Sequence, residues 1–117
     1  MKALLPAVAL ALVLAPSTTA GALARSGLYG TVMRGPISPT CVAEQPCDAP
    51  AAGVVLVFSR GGVVVARVRT HGNGSYRIRL APGRYAVTGG RDLQPSAVRV
   101  LRGRFRRVEF SIDTGIR

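Results

Sequence analysis

The sequence predicts an all-β fold, a seven-stranded antiparallel Greek-key β-sandwich. Three observations predict it: seven short apolar or alternating runs, turn residues between them, and no uninterrupted helical period after residue 24. The 14 glycines and 8 prolines interrupt a chain of 117 residues too often for long helices. Hydrophobic residues make up 48% of the chain, which excludes disorder, and the length leaves room for one ordinary domain.

Met1 and Lys2 open the chain with positive charge, and residues 3–15 form an apolar run interrupted by Pro6. Residues 16–20 break the run, and Ala22-Leu23-Ala24 offers the small-x-small pattern that a signal peptidase reads. Residues 1–24 are therefore expected to be a signal peptide, with cleavage after Ala20 or Ala22 as alternatives, and residues 25–117 the exported domain. The apolar run is shorter than the roughly 20 residues that cross a bilayer as a helix, so no stable membrane insertion is expected after cleavage. The expected location is secreted, in the cell envelope or extracellular space.

The strand runs follow in order: 28–33, 54–58, 63–70, 75–80, 84–88, 98–101 and 108–112. Between the first two lies a long loop carrying Pro36, Pro39, Pro46 and Pro50. In an oxidising compartment its two cysteines, Cys41 and Cys47, are expected to form a disulfide that staples this loop. Arg60-Gly61-Gly62, His71-Gly72-Asn73-Gly74, Pro82-Gly83 and Arg102-Gly103-Arg104 read as turns. In the run at 75–80, Tyr76, Ile78 and Leu80 alternate with Ser75, Arg77 and Arg79, the period of a half-buried strand. The runs 63–70 and 75–80 are expected to form a hairpin over a three-residue loop, Gly72-Asn73-Gly74, and inward residues face each other when Thr70 pairs with Tyr76 and Val68 with Ile78. That register sets Arg69 opposite Arg77 and Arg67 opposite Arg79 on one outer face. Arg84 joins from the next strand, and Arg102, Arg104 and Arg107 are expected to lie apart.

Thr70-x-x-x-Gly74-x-Tyr76-x-Ile78-x-Leu80-x-Pro82-Gly83-x-Tyr85-x-Val87 resembles the signature of the carboxypeptidase regulatory-like domain. Pro50-x-x-Gly53-Val54-x-Leu56-x-Phe58 resembles the strand that precedes it in that family, and Gly30-x-Val32 the opening strand. The resemblance covers roughly residues 27–110. It implies a transthyretin-like (prealbumin-like) sandwich; with the expected signal peptide and the short chain, a small, secreted, stand-alone member is expected. It also implies an accessory module without catalytic residues. Two departures stand out: His71 occupies a turn position that usually carries an acidic residue, and the loop holding Cys41 and Cys47 is longer than the common version.

The residue inventory supports no catalytic, cofactor or metal site. His71 is the one histidine, it sits in a glycine-rich turn, and no nucleophile elbow accompanies it. Zinc would need further ligands than the two cysteines and His71. The net charge of +11, from 16 Lys+Arg against 5 acids, points to an anionic partner. Nucleic acid is not expected, because single-strand binders interleave aromatics with basic residues and export removes the protein from its own DNA and RNA. Trp is absent, Tyr76 and Tyr85 are expected inside, and Tyr29 is the one exposed aromatic platform. The expected function is a non-enzymatic structural or interaction module at the envelope, with a protein partner. The alternative is a module binding an anionic envelope polymer or lipid headgroups through Arg67, Arg69, Arg77, Arg79 and Arg84. A ligand-free reading, in which the arginines only confer solubility, stands beside both.

Overall fold

The structure, a computed structural model, describes residues 25–116; the expected signal peptide lies outside the described residues. The described chain is all-β. Its strands are β1 (Gly27–Gly35), β2 (Ala49–Pro50), β3 (Val55–Arg60), β4 (Val63–Arg69), β5 (Ser75–Arg79), β6 (Gly83–Thr88), β7 (Leu93–Gln94), β8 (Ala97–Val100), β9 (Phe105–Arg107) and β10 (Phe110–Asp113). Each of the seven expected runs contributes a strand, and the short β2, β7 and β9 are additional. No helix long and apolar enough to cross a membrane occurs among the described residues.

Two sheets carry the core. β1 is the spine of the first: its opening half lies between β5 and β9, and its closing half between β2 and β10, with β7 beyond β10. The second sheet runs β4-β3-β6-β8. Leu28, Val32 and Phe110 of the first sheet and Leu56, Phe58 and Val87 of the second are all fully buried in one core. Burying a side chain of this kind contributes about 1.5–3 kcal/mol relative to leaving it exposed. The expectation of a purely antiparallel sandwich needs correction, because β1 pairs in parallel with both β9 and β10. The turn at 101–104 explains β9. The Gly27 N–H bonds to the Arg104 carbonyl and the Gly103 N–H to the Ser26 hydroxyl, so β9 starts at the end where β1 starts and runs alongside it.

The expected hairpin between the fourth and fifth strands is also corrected. β4 pairs with β3, setting Arg67 beside Val57, Val68 beside Leu56 and Arg69 beside Val55. β5 pairs with β1, setting Arg77 beside Tyr29 and Ile78 beside Leu28. The connection between them crosses from one sheet to the other, and Thr70 starts the crossing. Its buried hydroxyl donates to the Ala51 carbonyl and accepts from the Val54 N–H, and its own backbone bonds Gly53 and Val54. These bonds hold the end of β4 to the segment that opens β3. His71 then starts a turn in which its carbonyl accepts from the Gly74 N–H at 2.9 Å. Gly74 is buried at φ 82, and a side chain there would begin 2.6 Å from the Val32 carbonyl oxygen. That close approach brings the Gly74 carbonyl to the Val32 N–H at 2.8 Å and delivers β5 to β1. The turn itself forms as its residues predict; the strands it joins diverge.

Cys41 and Cys47 are bonded, with Cα atoms 5.4 Å apart. The Ile37 N–H bonds to the Cys47 carbonyl at 2.7 Å, so the staple closes the base of the loop against the end of β1. Reduction is expected to lower stability by about 2 kcal/mol, measured by urea unfolding with and without reductant. Alkylation of unreduced exported protein at either cysteine would contradict the staple.

Candidate functional site

Alternation along the strands places the candidate arginines outside, and the topology divides them between two faces. Arg67, Arg69 and Arg84 stand on the outer face of the second sheet. Arg77 and Arg79 stand on the outer face of the first. A single patch of five is therefore replaced by two separate groups, because β4 and β5 belong to different sheets.

The face of the first sheet is built from two cross-strand rows. In one, Tyr29 of β1 lies between Arg77 of β5 and Arg107 of β9. In the other, Gly27 lies between Arg79 and Phe105. Directly paired residues in a ladder hold their side chains within reach of one another. Gly27 leaves a gap that the Phe105 ring fills: a side chain at Gly27 would begin 2.6 Å from that ring. The Arg77 guanidinium then covers the ring at 3.9 Å from its centroid, a cation–π contact that holds the arginine extended across the sheet. Arg107 donates to the Glu109 carboxylate at 2.9 Å, and that exposed pair holds the guanidinium beside Tyr29. The carboxylate raises the Arg107 pKa, first by the hydrogen bond and then by its charge. Arg77 and Arg79 have no carboxylate partner among the described residues.

Two of these residues stand where sequence reasoning did not put them. Arg107 belongs to the site instead of lying apart from it, and Phe105 reads in sequence as one apolar residue inside a charged turn. No sequence signal marks them, because the place of Phe105 opposite Gly27 follows from the parallel pairing of β9 with β1. Tyr29 is exposed as expected, while Tyr76 and Tyr85 are buried. The Tyr85 hydroxyl donates to the Ala81 carbonyl, which closes the Pro82-Gly83 turn beneath it.

Tyr76 supports the face from below. Its hydroxyl donates to the Val108 carbonyl at 2.7 Å, tying β5 to the segment after β9, and its ring packs on Phe110 at 5.5 Å. Burial, and secondarily the Glu109 charge, push its pKa well above the ordinary tyrosine value. The unfolded chain loses this proton near pH 10 while the folded one keeps it, so the stabilisation is present below about pH 10 and is lost as pH rises above it. Tyr76→Phe is expected to cost about 1 kcal/mol at neutral pH through the lost hydrogen bond and to flatten the alkaline fall of the unfolding midpoint.

On the second sheet, Arg84 of β6 and Arg99 of β8 are directly paired like charges. Arg106 crosses the open side between the sheets to donate to the Arg99 carbonyl at 3.0 Å. At the far end, Asp48, Asp92 and Asp113 line a cleft of about 420 Å³ with Arg34 and the disulfide. No group of three or more His, Cys, Asp or Glu side chains able to hold a metal occurs among the described residues. The exposed His71 is held through its backbone, its N–H bonding the Ser75 carbonyl at 2.9 Å. No family model matches the chain, and no curated protein matches its sequence.

Proposed function

We propose that this chain is a non-enzymatic interaction module of the cell envelope or extracellular space, exported by residues 1–24, that holds an anionic polymer on the outer face of its first sheet. The observation that carries the reading is the arrangement of Arg77, Arg79, Tyr29, Phe105 and Arg107. Arg77 and Arg79 lack carboxylate partners among the described residues, and Phe105 holds Arg77 extended. Guanidinium groups bind phosphate and carboxylate through paired hydrogen bonds, and an arginine fixed by stacking loses less freedom on doing so. The Tyr29 ring adds a flat surface between two arginines on which the apolar C–H face of a sugar ring can rest. A carboxypeptidase regulatory-like, transthyretin-like Greek-key fold belongs to the same proposal. It is supported by the way Thr70, Gly74 and Tyr85 of the resemblance each hold a turn or a crossing. Such a fold carries binding surfaces without specifying chemistry, so the function rests on the face itself.

The test uses charge-matched variants. Arg77→Gln/Arg79→Gln and Arg102→Gln/Arg104→Gln remove equal charge, and both pairs are on exposed positions. The first pair is expected to weaken binding to a soluble polyphosphate or polyuronate about tenfold or more in isothermal titration, the second much less. Equal losses would mean that the arginines act only as bulk charge.

A further inference from the structure

The two ends of the sandwich differ in charge. At the end where β1 finishes, Asp48, Asp92 and Asp113 share a cleft with Arg34, so both signs meet there. The other end is assembled where β1 begins. The Leu80 N–H bonds the Ser26 carbonyl, and the Gly103 N–H bonds the Ser26 hydroxyl. The Arg60 side chain lies against Gly83 and over the Tyr85 ring at 5.5 Å. Arg25, Arg60, Arg84, Arg102 and Arg104 are all exposed there. The chain has no acidic residue between Asp48 and Asp92, and none from Leu93 to Val108.

The β3–β4 hairpin projects from this basic end. Gly61 and Gly62, at φ 59 and 82, make a two-residue turn that pairs Arg60 with Val63. Val63, Val64 and Val65 are exposed by 63%, 43% and 50%. Successive strand residues point to opposite faces, so three exposed valines in a row leave both faces of the tip bare. A contiguous exposed apolar run rimmed by polar residues is the kind of surface that meets a partner or a membrane. Pairing with a second copy along β4 is disfavoured by two features. Ser59 pairs with Val64 and Phe58 with Ala66, so Val65 is an extra residue in a bulge that bends the edge, and Arg67 and Arg69 follow on the same strand.

An apolar tip beside a cluster of guanidiniums matches the boundary between headgroups and acyl chains of an anionic bilayer. We propose that this hairpin docks the basic end of the domain reversibly onto an anionic lipid surface. Val63, Val64 and Val65 enter the acyl boundary, and Arg60, Arg84, Arg102 and Arg104 meet lipid phosphates. The aspartate-bearing cleft then faces away, and the Tyr29–Arg77 face stands along the side of the domain. This docking is independent of the polymer reading and uses different residues.

The experiment is co-sedimentation of the exported protein, its N terminus read by mass spectrometry, with vesicles of phosphatidylcholine alone or mixed with phosphatidylglycerol. Binding to the mixed vesicles is expected, and Val63→Ser/Val65→Ser is expected to weaken it about tenfold or more without changing the unfolding midpoint, since both positions are exposed. Arg77→Gln, which pairs with Tyr29 away from this end, should bind vesicles nearly as the parent does while weakening polymer binding, so failure of one reading is distinguishable from failure of the other. Absence of vesicle binding, equal binding to neutral vesicles, parent-like binding by the serine variant, or a dimer that the serine variant abolishes would each overturn the proposal.

Discussion

Thr70→Val is expected to lower stability by about 3 kcal/mol, or on the order of 12 °C or more in Tm. Valine keeps the shape of threonine and removes the hydroxyl. The Ala51 carbonyl and the Val54 N–H then lose the partner that joins the end of β4 to the segment opening β3. A buried polar group left without a partner costs about 1–3 kcal/mol, far more than an exposed hydroxyl is worth. Thr88→Val, on an exposed position of β6, serves as the control and should change stability by less than about 0.5 kcal/mol. Urea unfolding of the two variants measures the difference. If both changes are equally small, Thr70 does not organise the crossing between the sheets.

Gly27→Ala is the second large effect, also about 3 kcal/mol. The added methyl collides with the Ile78 carbonyl oxygen and begins 2.6 Å from the Phe105 ring. The ring can swing away, but the carbonyl belongs to the backbone of β5, so β1 and β5 must separate locally. The same substitution displaces the ring over which Arg77 is held. Loss of stability and loss of polymer binding are therefore expected together, with binding measured well below the lowered Tm. Adding Phe105→Ala to Gly27→Ala relieves only the ring contact, so the double variant should recover little stability and no binding. An unchanged unfolding midpoint in Gly27→Ala would contradict the close packing of Gly27 against β5 and β9.

How far the sequence reveals this molecule depends on what kind of information each feature needs. Alternation places Tyr76, Ile78 and Leu80 inside and Arg77 and Arg79 outside, because a strand residue's face follows from its neighbours alone. Turn chemistry marks Gly61, Gly62 and Gly74, since positive φ is a local property. Strand partners are a different matter. Thr70 and Tyr76 satisfy the inward-to-inward condition across a hairpin, and the same inward residues satisfy it equally well against Leu28 or Leu56 in another sheet. The choice is made by the Thr70 hydroxyl and by the close approach of Gly74 to Val32, both of which depend on residues far away in the chain. The arginine face inherits that difficulty: each arginine was legible as outward, and its companions were not. Phe105 and Arg107 were hidden for a related reason. Three residues with two arginines carry no strand pattern of their own, and β9 exists because β1 offers it an open side.

On the proposed function, the first-sheet face built on Tyr29, Arg77, Arg79 and Phe105 binds an anionic polymer as a site. Backbone amide chemical-shift mapping during titration with a polyphosphate or polyuronate tests it most directly, because it reports position and not only affinity. Binding at this face is expected to move the amides of residues 27–31, 75–79 and 105–107 together, saturating at one common affinity. Shifts spread over Arg67, Arg69, Arg84 and Arg99 as strongly as over Arg77 and Arg79, without saturation, would contradict it and leave the arginines as solubilising charge.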